Sequence, residues 1–166
     1  VISIDVRDLV GHPGTSRNIH LDQAVEDLRL ELAAVPGDAP IEADLLLEGV
    51  VEGIFASGLL RGAMRLSCAR CLKAFDEPFD LAVNELFVPQ PDPNAEDYPL
   101  DPTGEIDIEP LVRDAVMLAM PFSPLCRPDC LGLCERCGGD RNLGECTCAP
   151  APADPRWSVL ENLTLD

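Results

Sequence analysis

Hydrophobic and polar residues alternate through much of this chain, and the alternation changes character along it. Ile2, Ile4 and Val6 form a short period-two run that predicts a strand, followed by a loop, GHPGTSRN. Leu28, Leu30 and Leu32 alternate with Arg29 and Glu31, although a helix competes for residues 22–34. PGDAP then reads as a turn, because proline fixes φ and glycine frees it where a chain reverses. Ile41, Ala43, Leu45 and Leu47 alternate with mostly acidic neighbours. After a break at Glu52-Gly53, the even positions Ile54, Ala56, Leu60, Met64 and Leu66 carry the pattern on. Beyond Cys68-Ala-Arg-Cys71, Phe75, Phe79, Val83 and Phe87 share another alternating face. An antiparallel meander with one buried face is predicted.

The period then lapses. PQPDPNAEDYPLDPTGE is rich in proline and acid and reads as a long, mobile loop. A helix should follow, with Asp107 as cap, Pro110 in its first turn, and Ile108, Leu111, Val112, Ala115 and Ala119 as its apolar stripe. Pro121 and Pro124 stop it. Such a stripe is more often core packing than a binding groove. Near the end, Asp154 and Pro155 announce a short helix bearing Trp157, Leu160 and Leu163.

The expected fold class is α+β: an antiparallel meander packed by one main helix, a zinc-ribbon-like segment and a short terminal helix. The expected division is a β-rich core over 1–121, a cysteine-rich segment over 122–149, and a linker with helix over 150–166.

Composition changes this picture in two ways. A net charge of −18 repels bare nucleic acid and suits a basic partner, although a solvated acidic surface is the simpler reading. Eight cysteines are many for a chain whose opening, VISIDVRDLV, has neither the basic region nor the apolar stretch of a secretory signal. No apolar run is long enough to span a membrane. A cytoplasmic setting is expected, where clustered thiols bind metal more often than they form disulfides.

The cysteines fall into four pairs: Cys68/Cys71, Cys126/Cys130, Cys134/Cys137 and Cys146/Cys148. Two cysteines two residues apart in a tight turn can both reach one zinc ion, and two pairs close a tetrahedral site. Cys134, Cys137, Cys146 and Cys148 are close enough in sequence to form one compact unit. Cys68 and Cys71, at the tip of a predicted hairpin, would then join Cys126 and Cys130 and close a loop of more than fifty residues. Two other arrangements remain open: Cys126, Cys130, Cys134 and Cys137 on one ion, or a single zinc with the remaining thiols free. Two loaded sites would add eight thiolates and two dications, making the chain four units more acidic.

Catalysis is not expected. A redox CxxC draws reactivity from a helix N-terminus, whereas Cys68 and Cys71 lie between strands. Catalytic zinc keeps an open position and usually takes histidine, but His12 and His20 are far away in sequence. The deaminase pattern, GxSxG, the Walker loop and GxGxxG do not occur. A thiol redox sensor is the remaining thiol-based alternative. Arg61, Arg65, Arg70 and Lys73, with Arg127, Arg136 and Arg141, would approach one another if the first site closes. They would form a basic patch for RNA or a partner, unless they only offset thiolates and acids.

LSCARCLKAF, GEIDIEPLVRDAVMLAMPFSPLC, CLGLCERCGGDRN with its CTC pair, and DPRWSVLENL stand in an order that resembles the YceD family of large-ribosomal-RNA-subunit accumulation proteins. The resemblance runs over roughly residues 41–163. GDRNLG departs from the family's usual CG-x-x-LN. The resemblance implies a non-enzymatic bacterial factor supporting accumulation or processing of large-subunit (23S) ribosomal RNA. It implies as partner a large-subunit ribosomal protein or pre-ribosomal particle, with possible rRNA contact and with no membrane and no small-molecule substrate. Within the family the Cys68/Cys71 pair recurs most widely. The later cysteines belong to some members only, which suggests a stabilising addition.

Overall fold

A computed structural model describes residues 1–92, 97–149 and 156. The terminal helix expected around Trp157 lies outside the described residues, apart from Arg156. Eight strands and one helix are present among the described residues. They are β1 (Ser3–Asp5), β2 (Ser16–Gln23), β3 (Ala33–Ala34), β4 (Ile41–Gly49), β5 (Ile54–Ser67), β6 (Ala74–Val88), β7 (Tyr98–Pro99), β8 (Glu105–Asp107) and α1 (Glu109–Ala119). The main sheet runs β2-β4-β5-β6-β7, with β3 also on β5, and β1 pairs with β8 in a separate two-stranded sheet.

The meander of β4, β5 and β6 follows the alternation closely. Ile41, Ala43, Leu45 and Leu47 of β4 are buried, as are Ile54, Ala56, Leu60, Met64 and Leu66 of β5. β5 and β6 pair without interruption from Ile54↔Phe87 to Ser67↔Ala74. Gly62 breaks the apolar series where its partner Phe79 lays its ring over the bare backbone; a Cβ there would lie 2.6 Å from that ring. On the opposite face, Arg61 and Arg65 stand across from Asp80 and Asp76. Phe87 is fully buried, and burial of such a side chain contributes roughly 1.5–3 kcal/mol.

Three expectations about strands and loops need correction. Residues 24–32 are neither helix nor regular strand. Asp27 sits at φ 56, Leu30 N–H donates to Ala33 O at 2.7 Å, and Val35 N–H donates to Leu28 O at 2.9 Å. The segment is a tight reversal pinned to the core by Val25 and Leu28, and Leu30 and Leu32 are only half-buried. The loop expected from Gly11 ends sooner, because Ser16, Arg17 and Asn18 pair with Glu48, Leu47 and Leu46. The proline-acid stretch, residues 89–105, contains β7 and runs into β8, and β7 is parallel to β6. The sheet is therefore mixed rather than wholly antiparallel.

The helix is capped one residue later than expected. Ile108 is the N-cap and supplies no side-chain bond. Asp107 still serves the helix start: its Oδ1 accepts from the N–H groups of Glu109 (3.0 Å) and Ile2 (2.8 Å). The buried stripe is Ile108, Leu111, Val112, Val116 and Met120, all within the main core cluster. Ala119 is exposed, because the 3.6-residue period carries the buried face to Val116 and Met120 instead. No helix among the described residues is long and apolar enough to cross a membrane.

Candidate metal centres

The first site sits on the tip of the β5–β6 hairpin. Cys68–Lys73 form a tight loop in which Leu72 N–H donates to Cys68 O (2.9 Å) and Cys68 N–H donates to Lys73 O (3.0 Å). The turn forces Leu72 to φ 60, an uncommon conformation for a residue with a Cβ. Cys68 and Cys71 thereby point to one side, and the segment after α1 comes to meet them. Ala69 N–H donates to Pro124 O (2.8 Å), Leu133 N–H to Arg70 O (3.0 Å), and the Arg70 Nη1 to Cys130 O (2.8 Å). Gly132 crosses at φ 72, where a Cβ would lie 2.9 Å from Arg70 O.

These contacts gather the sulfurs of Cys68, Cys71, Cys126 and Cys130 within 4.8 Å of one another. Cys68 Sγ lies 3.8 Å from Cys130 Sγ, and Cys71 Sγ lies 3.7 Å from Cys126 Sγ. A tetrahedron with metal–sulfur bonds of about 2.3 Å has edges of about 3.8 Å. The spacing fits four thiolates around one ion and is far too long for a disulfide. Cys68, Cys71 and Cys130 are buried, and Phe75, Leu125 and Leu133 pack around them.

The second site is built from one stretch of chain. Cys134–Gly139 repeat the loop: Gly138 N–H donates to Cys134 O (2.8 Å) and Cys134 N–H to Gly139 O (2.9 Å). Cys134, Cys137, Cys146 and Cys148 also have their sulfurs within 4.8 Å of one another, but Cys137 and Cys148 are exposed and the other two half-buried. The connecting turn is held by Asp140, whose Oδ1 accepts from the Asn142 backbone (2.8 Å) and side chain (2.7 Å). Asn142 in turn joins the two sites: its Nδ2 lies 3.5 Å from Cys130 Sγ, and its Oδ1 accepts from Leu131 N–H (2.8 Å) and Arg127 Nη2 (2.8 Å).

Thiol acidity is divided similarly in both tetrads. Burial works against a Cys68 thiolate, but backbone N–H groups of Cys126, Cys71 and Arg70 and the Cys71 thiol bring its pKa down to about 6. Backbone N–H groups of Cys137 and Arg136, then the Cys146 thiol, bring Cys134 to about 6 as well. Burial and the neighbouring thiols push Cys126 up to about 12, and the Cys137, Cys146 and Cys134 thiols do the same to Cys148. Donors aimed at the first sulfur stabilise one thiolate, and like-charge repulsion resists the last. A divalent cation removes that repulsion and deprotonates coordinating thiols outright.

The arginines are less united than the sequence suggests. Arg61 binds Asp44 at 2.6 Å and lies 3.7 Å from Asp80, and Arg65 binds Asp76 at 3.0 Å. Arg70 is spent on Cys130 O, and Arg127 on Asn142 with Asp129 at 3.4 Å. Arg136 and Arg141 line a cavity of about 250 Å³ beside Cys134, Cys146 and Cys148. Lys73 lies exposed at the hairpin tip. What sequence reasoning missed is Asn142, which bridges the two sites and has no metal-binding signature to betray it.

A small mixed-sheet protein with two four-thiol clusters is what fold and site define together. Its relatives sharpen that description. The sequence profile of the YceD family, described as large ribosomal RNA subunit accumulation protein YceD, matches residues 56–164, and the chain belongs to that family. A protein of Mycobacterium tuberculosis (strain ATCC 25618 / H37Rv) is 35% identical over 173 residues, spanning 96% of this chain and 79% of the relative. The chloroplastic large ribosomal RNA subunit accumulation protein YCED homolog 1 of Arabidopsis thaliana is 24% identical over 160 residues, spanning 77% of this chain and 50% of that protein. The homolog of that name in Zea mays is 43% identical over 47 residues, spanning 28% of this chain and 16% of that protein. No solved structure matches the chain.

Proposed function

We propose that this protein supports accumulation of large-subunit ribosomal RNA by binding a basic ribosomal protein or an assembly intermediate, without catalysing a reaction. Family membership is the observation that carries the reading. The charge of −18 supports a protein partner over bare RNA, since a basic ribosomal protein is drawn to such a surface and phosphate is repelled by it. Zinc is the metal proposed for both tetrads, because soft thiolates in tetrahedral spacing suit it and four protein ligands leave no position for a substrate. Bound there, it supplies a cross-link in place of hydrophobic packing. The chain's own residues do the rest: the hairpin tip presents Cys68 and Cys71, and the backbone around Pro124 and Leu133 brings Cys126 and Cys130 to them.

Co-purification at native levels, with metal counted in the same sample, tests the reading. Large-subunit precursor material and two zinc ions per chain are expected. Recovery of RNA alone in moderate salt, with no basic ribosomal protein, overturns the partner assignment.

A second reading, direct RNA binding, draws on Arg136 and Arg141 beside the second tetrad. Replacing both with alanine removes RNA crosslinking if that reading holds and leaves it unchanged if it does not.

A further inference from the structure

A groove at the β7 edge of the main sheet, walled by α1, belongs to neither thiol site. It is open to solvent, encloses about 600 Å³, and has Leu30, Leu111 and Met117 among its lining. Leu118 and Phe122 stand at it with 88% and 86% of their surface exposed, so two large apolar side chains meet water beside an apolar floor. A partner that covered these side chains would remove apolar surface from water, which is favourable. The charge along the groove has one sign. Glu85, Asp97 and Asp114 line it, and among the described residues no Lys, Arg or His does. The Tyr98 hydroxyl donates to Asp114 Oδ2 at 2.9 Å and fixes that carboxylate at the wall.

We propose that this groove is the docking site for a basic segment of a ribosomal protein, with apolar side chains seated against Leu118 and Phe122 and Lys or Arg facing Asp97 and Asp114. The inference rests on the functional reading above and gives it a surface. Charge selects this occupant. RNA phosphate meets three carboxylates here. A second copy brings its own charge of −18. Residues 154–166 of this chain carry Asp154, Glu161 and Asp166 against the single Arg156, a net charge of the same sign as the groove.

The test uses the full chain with photoreactive benzoylphenylalanine in place of Phe122, mixed with purified large-subunit ribosomal proteins and ribosomal RNA, then irradiated. The expected adduct is to a Lys- or Arg-flanked apolar segment of a ribosomal protein. That segment, as a synthetic peptide, should bind the chain carrying Leu118→Ser and Phe122→Ser at least about tenfold more weakly. Asp97→Asn with Asp114→Asn should weaken it several-fold at low salt and little at high salt. Both apolar positions are exposed, so thermal melts of the serine variant should match the parent. Adducts confined to residues 150–166, to a second copy or to RNA overturn the proposal, as does full binding by the serine variant. If that variant still co-purifies with large-subunit precursors, the groove assignment fails and the functional reading stands. If the unmodified chain co-purifies with no large-subunit material, the functional reading falls and takes the groove with it.

Discussion

The two thiol sites share a six-residue loop and differ in what it stands on. Cys68–Lys73 and Cys134–Gly139 superimpose in hydrogen-bond pattern, with the same two backbone bonds in each and a left-handed residue directly after the second cysteine. In one loop that residue is Leu72 at φ 60; in the other it is Gly138 at φ 72. The first loop caps two strands of 14 and 15 residues and recruits thiols 55 and 62 positions away into a buried cluster. The second closes within its own stretch of chain and leaves two sulfurs exposed. One ligand loop thus makes a staple in the first case and a surface clip in the second. Loop length and burial decide which: a longer closed loop removes more freedom from the unfolded chain, and a buried thiolate that loses its partners has no water to turn to.

The largest expected effect separates the sites outright. Cys130→Ala should lower the melting temperature by on the order of 10 °C, because a buried, partnered thiol is lost and the hairpin tip is released. Cys148→Ala should lower it by about 3 °C or less. Equal drops in a calorimetric melt would break the comparison. Next comes reactivity. In native buffer, thiols of the second tetrad should react with an aromatic disulfide reagent at least about tenfold faster than those of the first, which wait for unfolding or chelation. Mass spectrometry of early products identifies the sites, and early labelling of Cys68 would contradict the ranking.

A smaller effect comes from the left-handed residues. Leu72→Gly should stabilise by about 0.5–1 kcal/mol, since the side chain is 62% exposed and little packing is lost as strain is relieved. Gly138→Leu should destabilise by about 1 kcal/mol, although open space surrounds that position. Denaturant unfolding of both variants checks the symmetry of the two loops. The smallest effect lies away from both sites. Asp44 accepts from His20 at 2.7 Å and raises its pKa above 6.5, and Asp44 itself is held below 3.8. The His20 contribution is complete below about pH 6.5 and fades as pH rises through the raised value; the Asp44 contribution is lost as pH falls below about 4. NMR titration should show the raised His20 value, and Asp44→Asn should return it toward 6.5.

The long hairpin, the helix and the thiol pairs were all legible in the sequence, for the same reason. Each has a repeat that a linear pattern can display: period two through Ile54–Leu66, 3.6 through Ile108, Leu111 and Val112, and C-x-x-C at both loops. The Cys126/Cys130 partnership followed from the compactness of the last four cysteines, and the structure gathers the thiols in that grouping rather than placing Cys126 and Cys130 with Cys134 and Cys137. What the sequence hid either has no period or has one that packing overrides. β7 and β8 are two and three residues long, too short to show alternation within or at the end of a proline-acid stretch. Residues 24–32 display an alternation that tertiary packing overrides, because a reversal at Asp27 buries Val25 and Leu28 and leaves Leu30 half out. The scattering of the arginines was invisible for a related reason. Arg61 and Arg65 find Asp44, Asp80 and Asp76 only through strand register, which a count of nearby basic residues ignores.

The separation of 55 positions between Cys71 and Cys126 is also an interval of time. At about 5–20 residues per second, synthesis leaves the hairpin tip without its second pair of thiols for roughly 3–11 s. During that wait the nascent chain presents two thiols on a finished turn, open to an oxidant or to a metal carried by some other donor. The second tetrad spans only Cys134 to Cys148 and is complete within about 3 s of its first cysteine. The better-protected site in the finished protein is thus the one exposed longest while the protein is being made.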